Sequence, residues 1–167
     1  MVTIHQSQTY PINPPSASPP LTLAEMWQVM LLKCRKPELF VAPMSSSHVI
    51  EETPTFMKRT ITMKTDADLP HGEQTEELQI RAPWKIDFFN LSTGAFVNNT
   101  ISQGTDEEDL YLTFYFEWPY PDLIEGSEEA REMEGKLWGM ARAVVKHTID
   151  YAREMKREGK LGKGEGH

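Results

Sequence analysis

One amphipathic segment near the C-terminus constrains this chain more than any other feature. Between residues 127 and 158, Ala130, Met133, Leu137, Met140, Ala141, Val144, Thr148, Ala152 and Met155 recur three and four positions apart. That spacing places them on one face of a single helix, far longer than the ~11–12 residues of an average one. A one-faced helix of such length needs a broad apolar partner. Just upstream, Leu110, Leu112, Phe114, Phe116 and Trp118 alternate with Tyr111, Thr113, Tyr115 and Glu117, the period of a strand buried on one face. Pro119 and Pro121 form a corner between strand and helix. The pair predicts a curved antiparallel sheet gripping a C-terminal helix, an arrangement suited to enclosing a cavity.

The remaining chain supplies the other strands. Residues 2–12 read as a first strand, and the proline-rich stretch 11–20 that follows must be a surface connection. Thr22 with Glu25 three residues on is a capping box, opening a helix that carries Met26, Trp27, Met30, Leu31 and Cys34 and stops before Pro37. A short turn covers residues 38–41. Strands are then expected at 46–52, 56–64, 76–81, 85–91, 96–103 and 110–118, separated by Pro, Gly, Asn and Ser turn signals. Loops this short imply hairpins. The expected class is α+β: a helix-grip fold with a curved antiparallel sheet of about six or seven strands around the long helix. Residues 1–158 form one ligand-binding domain, and 159–167 a flexible tail.

Charge narrows the partners. A net charge of −8 argues against nucleic acid or an anionic membrane, both of which need a basic face. Lys156, Arg157, Lys160 and Lys163 read instead as favourable charges near a helix end. The single cysteine, Cys34, excludes an intrachain disulfide and sits in a helical apolar pattern as a buried thiol. There is no signal-like leader and no run near the ~18 apolar residues of a membrane span. The glycosylation sequons at Asn90 and Asn98 read as chance matches, and a cytoplasmic protein is expected.

Several stretches together resemble a known family. They are Val2-Thr3-Ile4-His5, Tyr10-Pro11-Ile12-Asn13, Leu21-Thr22 followed by Trp27 and Leu32-Lys33, Ser46-Ser47 and Glu51-Glu52. Asn99-Thr100-Ile101-Ser102, Leu110-Tyr111-Leu112-Thr113-Phe114, Phe116-Glu117-Trp118 and Gly126-Ser127-Glu128-Glu129-Ala130 continue the match. The chain is similar over nearly its whole length to the AtaL-like family of fungal and bacterial proteins. That family lies within the START-type, birch-pollen-allergen-like (SRPBCC) superfamily. The resemblance implies the helix-grip fold and a cavity for a hydrophobic small molecule, in fungi often within a secondary-metabolite gene cluster. It supplies no catalytic motif, because the superfamily hosts carriers, receptors and polyketide cyclases on one scaffold. Residues 65–75 depart from the pattern, being longer and more polar.

Candidate chemistry rests on polar residues interrupting apolar faces. Arg59 shares a strand face with Met57, Ile61 and Met63, so it grips a ligand oxygen, pairs with a glutamate of a neighbouring strand, or reaches solvent from the sheet rim. Asn99 alternates with Val97 and Ile101, offering an amide to a ligand carbonyl, to the strand ladder or to solvent. Glu117 falls on the amphipathic face of the last strand and points outward unless a bulge reverses the alternation. His147 and Asp150 stand three apart on the long helix, without further metal ligands in evidence.

Two main functions remain open at this level. One is a cofactor-independent enzyme of secondary metabolism that binds a polyketide- or terpenoid-like molecule and guides cyclisation, a pericyclic reaction or isomerisation. Arg59 would carry the electrostatic role, with Asn99 and Glu117 behind it. Trp27, Met57, Ile61, Phe114, Phe116, Met133, Leu137, Trp138 and Met140 would shape the pocket. The other is a non-catalytic carrier or sensor using the same cavity. A structural dimer with a vestigial pocket is a third reading. The expected partner is a hydrophobic small molecule, with no metal or cofactor, in a monomer or homodimer.

Overall fold

The computed structural model describes residues 1–65 and 69–162. Strand β1 (Val2–Pro11) leads into helix α1 (Leu23–Arg35) and a 3₁₀ turn (Pro37–Leu39). Six strands follow: β2 (Met44–Glu52), β3 (Phe56–Met63), β4 (Gly72–Arg81), β5 (Lys85–Asn90), β6 (Phe96–Gln103) and β7 (Leu110–Tyr120). Helix α2 (Glu128–Arg157) closes the series. All seven strands form one sheet in the order β1-β7-β6-β5-β4-β3-β2, with every described pair antiparallel. Successive hairpins from β2 to β7 build it, and β1 closes on β7, where Val2 lies opposite Tyr120. The α+β class, the curved sheet and the long helix are as expected.

Local chemistry accounts for both helices. Thr22 Oγ1 accepts from Glu25 N at 3.1 Å and Glu25 Oε2 accepts from Thr22 N at 2.9 Å, the full capping box. Ser127 caps α2, its Oγ accepting from Ala130 N at 3.1 Å. The inner stripe of α2, with Leu137, Ala141, Val145, Ile149 and Ala152, is buried in the same core as Ile4, Leu112, Phe114 and Phe116.

Basic residues near the end of α2 do more than complement its dipole. Arg153 donates to the carbonyls of Pro19 and Ile12, Lys156 to that of Pro20, and Arg157 to that of Ser18. Proline supplies no backbone N–H, so this connection cannot join a ladder, and these cations tie it down instead.

Two expectations need correction. Strand β4 starts at Gly72, because Glu73, Gln74 and Thr75 pair with Thr62, Ile61 and Thr60 of β3 and extend the hairpin through polar sequence. Residues 66–68 of the connection lie outside the described residues. The tail expected from residue 159 is anchored at its start, since Leu161 is buried in the core and Gly162 N donates to Gln28 Oε1 at 3.3 Å. Residues 163–167 lie outside the described residues.

Candidate functional site

Alternation along the strands fixes what faces the helices. Met57, Arg59, Ile61 and Met63 of β3, Gln74, Glu76, Leu78 and Ile80 of β4, Ile86, Phe88 and Asn90 of β5, and Asn99 and Ile101 of β6 are all buried on the inner face. Leu110, Leu112, Phe114, Phe116 and Trp118 do the same on β7. Between this face and the helices lies a cavity of about 120 Å³. Its wall is chiefly apolar, including Ile61, Phe88, Val97, Phe114, Phe116 and Met140, and is interrupted by Lys33, Arg59, Gln74, Glu76 and Asn90.

The polar groups form three arrangements, the last built on Lys33. Arg59, only 2% exposed, donates from Nε and Nη2 to Glu76 Oε2 at 2.9 and 2.6 Å. Its Nη1 donates to the Lys33 and Cys34 carbonyls at 3.1 and 2.6 Å, satisfying the end of α1, whose last carbonyls have no intrahelical partner. Of the five guanidinium N–H groups, one on Nη2 has no protein partner among the described residues. The register makes this inevitable: Arg59 stands directly opposite Glu76 on the adjacent strand. On the other side, Gln74 Oε1 accepts from Asn90 Nδ2 at 2.7 Å, and Asn90 Oδ1 accepts from Ser92 and Thr93 N, shaping the β5–β6 turn.

Lys33 is the residue the sequence reading passed over. It belongs to the buried face of α1, one turn beyond Met30, and is 6% exposed. Its Nζ donates to Asn99 Oδ1 at 2.7 Å and lies 4.5 and 5.0 Å from the ring centroids of Phe114 and Phe88. Among the described residues no carboxylate comes within 4 Å of it. Burial, reinforced by the Arg59 charge, pushes its ammonium down to about 7 from 10.5. Burial likewise pushes the Cys34 thiol up to about 11. A cation at a helix position otherwise occupied by Met26 and Met30 was the available signal.

These shifts have a measurable consequence. The unfolded chain holds the Lys33 proton up to 10.5 while the folded chain releases it near 7, so folding is favoured progressively as pH rises through that window. Cys34 acts oppositely above 9.0, where the unfolded thiol ionises first. Between about pH 7 and pH 9 stability is expected to rise by about 2 kcal/mol through Lys33. Urea unfolding of wild type and Lys33→Met across that range checks this; equal pH slopes would contradict the burial of a titrating amine.

The structure sorts the residues singled out in the sequence. Arg59, Ile61, Phe114, Phe116 and Met140 line the cavity. Asn99 is 1% exposed and holds Lys33, and its Nδ2 has no hydrogen-bond partner among the described residues. Trp27, Met57 and Leu137 belong to the core without lining the cavity, and Met133 is half-buried against that core. Trp138 is 47% exposed and stacks under the Arg142 guanidinium at 4.5 Å, so it shapes no inner wall.

Glu117 is a correction. Strand β7 keeps unbroken register with β1 and β6, so no bulge turns the side chain inward. It lies on the outer face, accepting from Tyr115 Oη at 2.9 Å, with His5 Nδ1 2.9 Å from the same hydroxyl. The His147–Asp150 spacing also brings nothing together: His147 Nε2 lies 3.2 Å from the Leu39 carbonyl, and Asp150 accepts from Lys146 at 2.7 Å. Among the described residues no cluster of three or more His, Cys, Asp or Glu assembles, and no helix is long and apolar enough to cross a membrane.

Comparison with known proteins now decides the kinship. The family model described as acetylaranotin biosynthesis cluster protein L matches residues 6–159. The chain belongs to the AtaL family. A relative from Aspergillus terreus, acetylaranotin biosynthesis cluster protein L, is 27% identical over 161 residues, covering 95% of this chain and 94% of its own. The AtaL-family fold is shared with the Zhui aromatase/cyclase from Streptomyces sp. R1128, at a TM-score of 0.71 and 15% identity over 95% of this chain and 98% of that one. It is shared too with the di-domain aromatase/cyclase StfQ of the steffimycin pathway, at a TM-score of 0.67 and 13% identity. There 94% of this chain matches 52% of the larger protein. At these identities the two cyclases establish the helix-grip fold of this AtaL-family member and nothing finer.

Proposed function

We propose that this protein is a secondary-metabolism enzyme that binds a compact, largely apolar carbonyl compound of polyketide type in its cavity and guides a cyclisation or related rearrangement without a cofactor. The observation that carries the reading is the cavity wall, where one face of polar groups is set into an otherwise apolar enclosure. Apolar walls hold one reactive conformer, and the polar face meets charge as it develops. Membership of a family named for a biosynthesis cluster, and a fold shared with aromatase/cyclases, support the same choice. Pairing with Glu76 leaves Arg59 little net charge to offer, so its remaining N–H serves as a hydrogen-bond donor to a substrate oxygen.

Size also discriminates. A volume of about 120 Å³ suits a compact ring system or the reacting end of a larger molecule, not an extended acyl chain. Drug-sized sites run to ~300–1,000 Å³. The second reading, a carrier of an apolar metabolite, draws on the same enclosure, and one experiment separates them. Metabolite extract from the source organism is incubated with the protein, and native mass spectrometry identifies what binds. The purified compound is then followed for conversion. Conversion by wild type, lost in Val97→Trp with its filled cavity, supports the enzyme; retention of an unchanged molecule supports carriage. The substitution itself is expected to cost about 1–3 kcal/mol through overpacking, so the variant is compared below its own unfolding transition.

A further inference from the structure

Lys33 has no assigned role, yet its surroundings are those of a reactive amine rather than of a structural cation. A structural lysine in a core is normally paired with a carboxylate. Here the neighbouring carboxylate, Glu76, is taken by Arg59, and among the described residues the side-chain acceptor for Nζ is the neutral Asn99 amide. The groups facing Nζ are Arg59 from β3, Glu76 from β4 and Cys34 from α1 itself, whereas β5, β6 and β7 present Phe88, Asn99 and Phe114. Lys33 is also part of the cavity wall, so whatever occupies the cavity meets it.

From this placement we infer that Lys33 is a covalent carbonyl-binding residue, capturing the aldehyde or ketone of a compact aromatic or cyclic compound as a Schiff base. The Nζ lone pair adds to the carbonyl carbon while the π pair moves to oxygen, which gains a proton from the nitrogen. The carbinolamine then loses its hydroxyl with a further proton as water, leaving a C=N bond. No oxidant or reductant takes part, and readdition of water reverses the capture. The Asn99 carboxamide that accepts from the amine is itself buried, so this hydrogen bond fixes Nζ at the cavity wall. An amine pushed down to about 7 is substantially neutral at physiological pH and competent to attack, unlike a surface lysine.

The inference rests on the same cavity as the proposed function but not on cyclisation. Its test uses benzaldehyde and, separately, formaldehyde, each with sodium cyanoborohydride at pH 7, followed by peptide mapping. Both are expected to mark Lys33 ahead of exposed lysines such as Lys36, Lys64 and Lys146, with Lys33→Met showing only surface background. The rate at Lys33 should reach its plateau near neutral pH, while surface lysines continue to accelerate toward pH 10. Formaldehyde leaving Lys33 bare while surface lysines react overturns the proposal. Formaldehyde labelling without a benzaldehyde adduct overturns the assigned ligand class. Because neither probe is a natural substrate, failure here leaves the cyclisation reading standing, and a failed turnover assay leaves the trapping result intact.

Discussion

Replacing Glu76 by alanine is expected to destabilise the protein by about 3–5 kcal/mol, the cost of stranding a buried charge. Arg59 would then lie almost wholly out of water with no anion, its Nε and Nη2 donors without their acceptor. The loss also reaches the cavity. Glu76 opposes the downward push on Lys33, so its removal lowers that amine further. Chemical denaturation measures the first effect and the pH dependence of Lys33 labelling the second. In Arg59→Met/Glu76→Leu, stability should return only in part, because Arg59 also satisfies the Lys33 and Cys34 carbonyls at the end of α1. A single-variant cost below about 1 kcal/mol would place the pair in the class of solvent-screened surface bridges and undo this account.

Phe114→Ala should cost a similar amount, about 3–5 kcal/mol, as for other large-to-small core changes. Phe114 is fully buried, meets Phe116 edge-on at 6.2 Å and shields Lys33 Nζ from above. Its wall borders the existing cavity, so truncation enlarges that space and admits water beside the amine. Lys33 should therefore move back toward the ordinary lysine range, and its reaction with benzaldehyde at pH 7 should slow. Unfolding curves and the Lys33 titration read the two consequences separately. Lost stability with an unchanged Lys33 titration would mean that the ring is not what keeps water from the amine.

Both predictions depend on groups of unequal visibility in the sequence. Phe114 was legible, because strict alternation over Leu110–Tyr120 names the inward residues once a one-faced helix demands a partner. Arg59 is legible as an inward cation with a glutamate of a neighbouring strand as one reading, but which glutamate is not, since a β4 that begins at Glu76 would not bring that residue opposite Arg59. Lys33 was not weighed as a site residue, although the spacing Met26, Met30, Lys33 already put an ammonium on the apolar face of α1. Glu117 drew attention only through a bulge that the unbroken β7 register excludes.

The amino-acid sequence thus determined the elements, their faces and the family. Capping chemistry, proline stops and hydrophobic period act over a few residues and leave their mark in the order of side chains. Only the tertiary structure decided which polar groups meet. The pairing of Arg59 with Glu76, the capture of α1 carbonyls by a strand arginine, and the seating of Lys33 on Asn99 join residues 17 to 66 positions apart. Such contacts depend on strand register and helix docking, which are set by the burial of the whole core at once. No local pattern encodes them, and the chemistry of the cavity lives there.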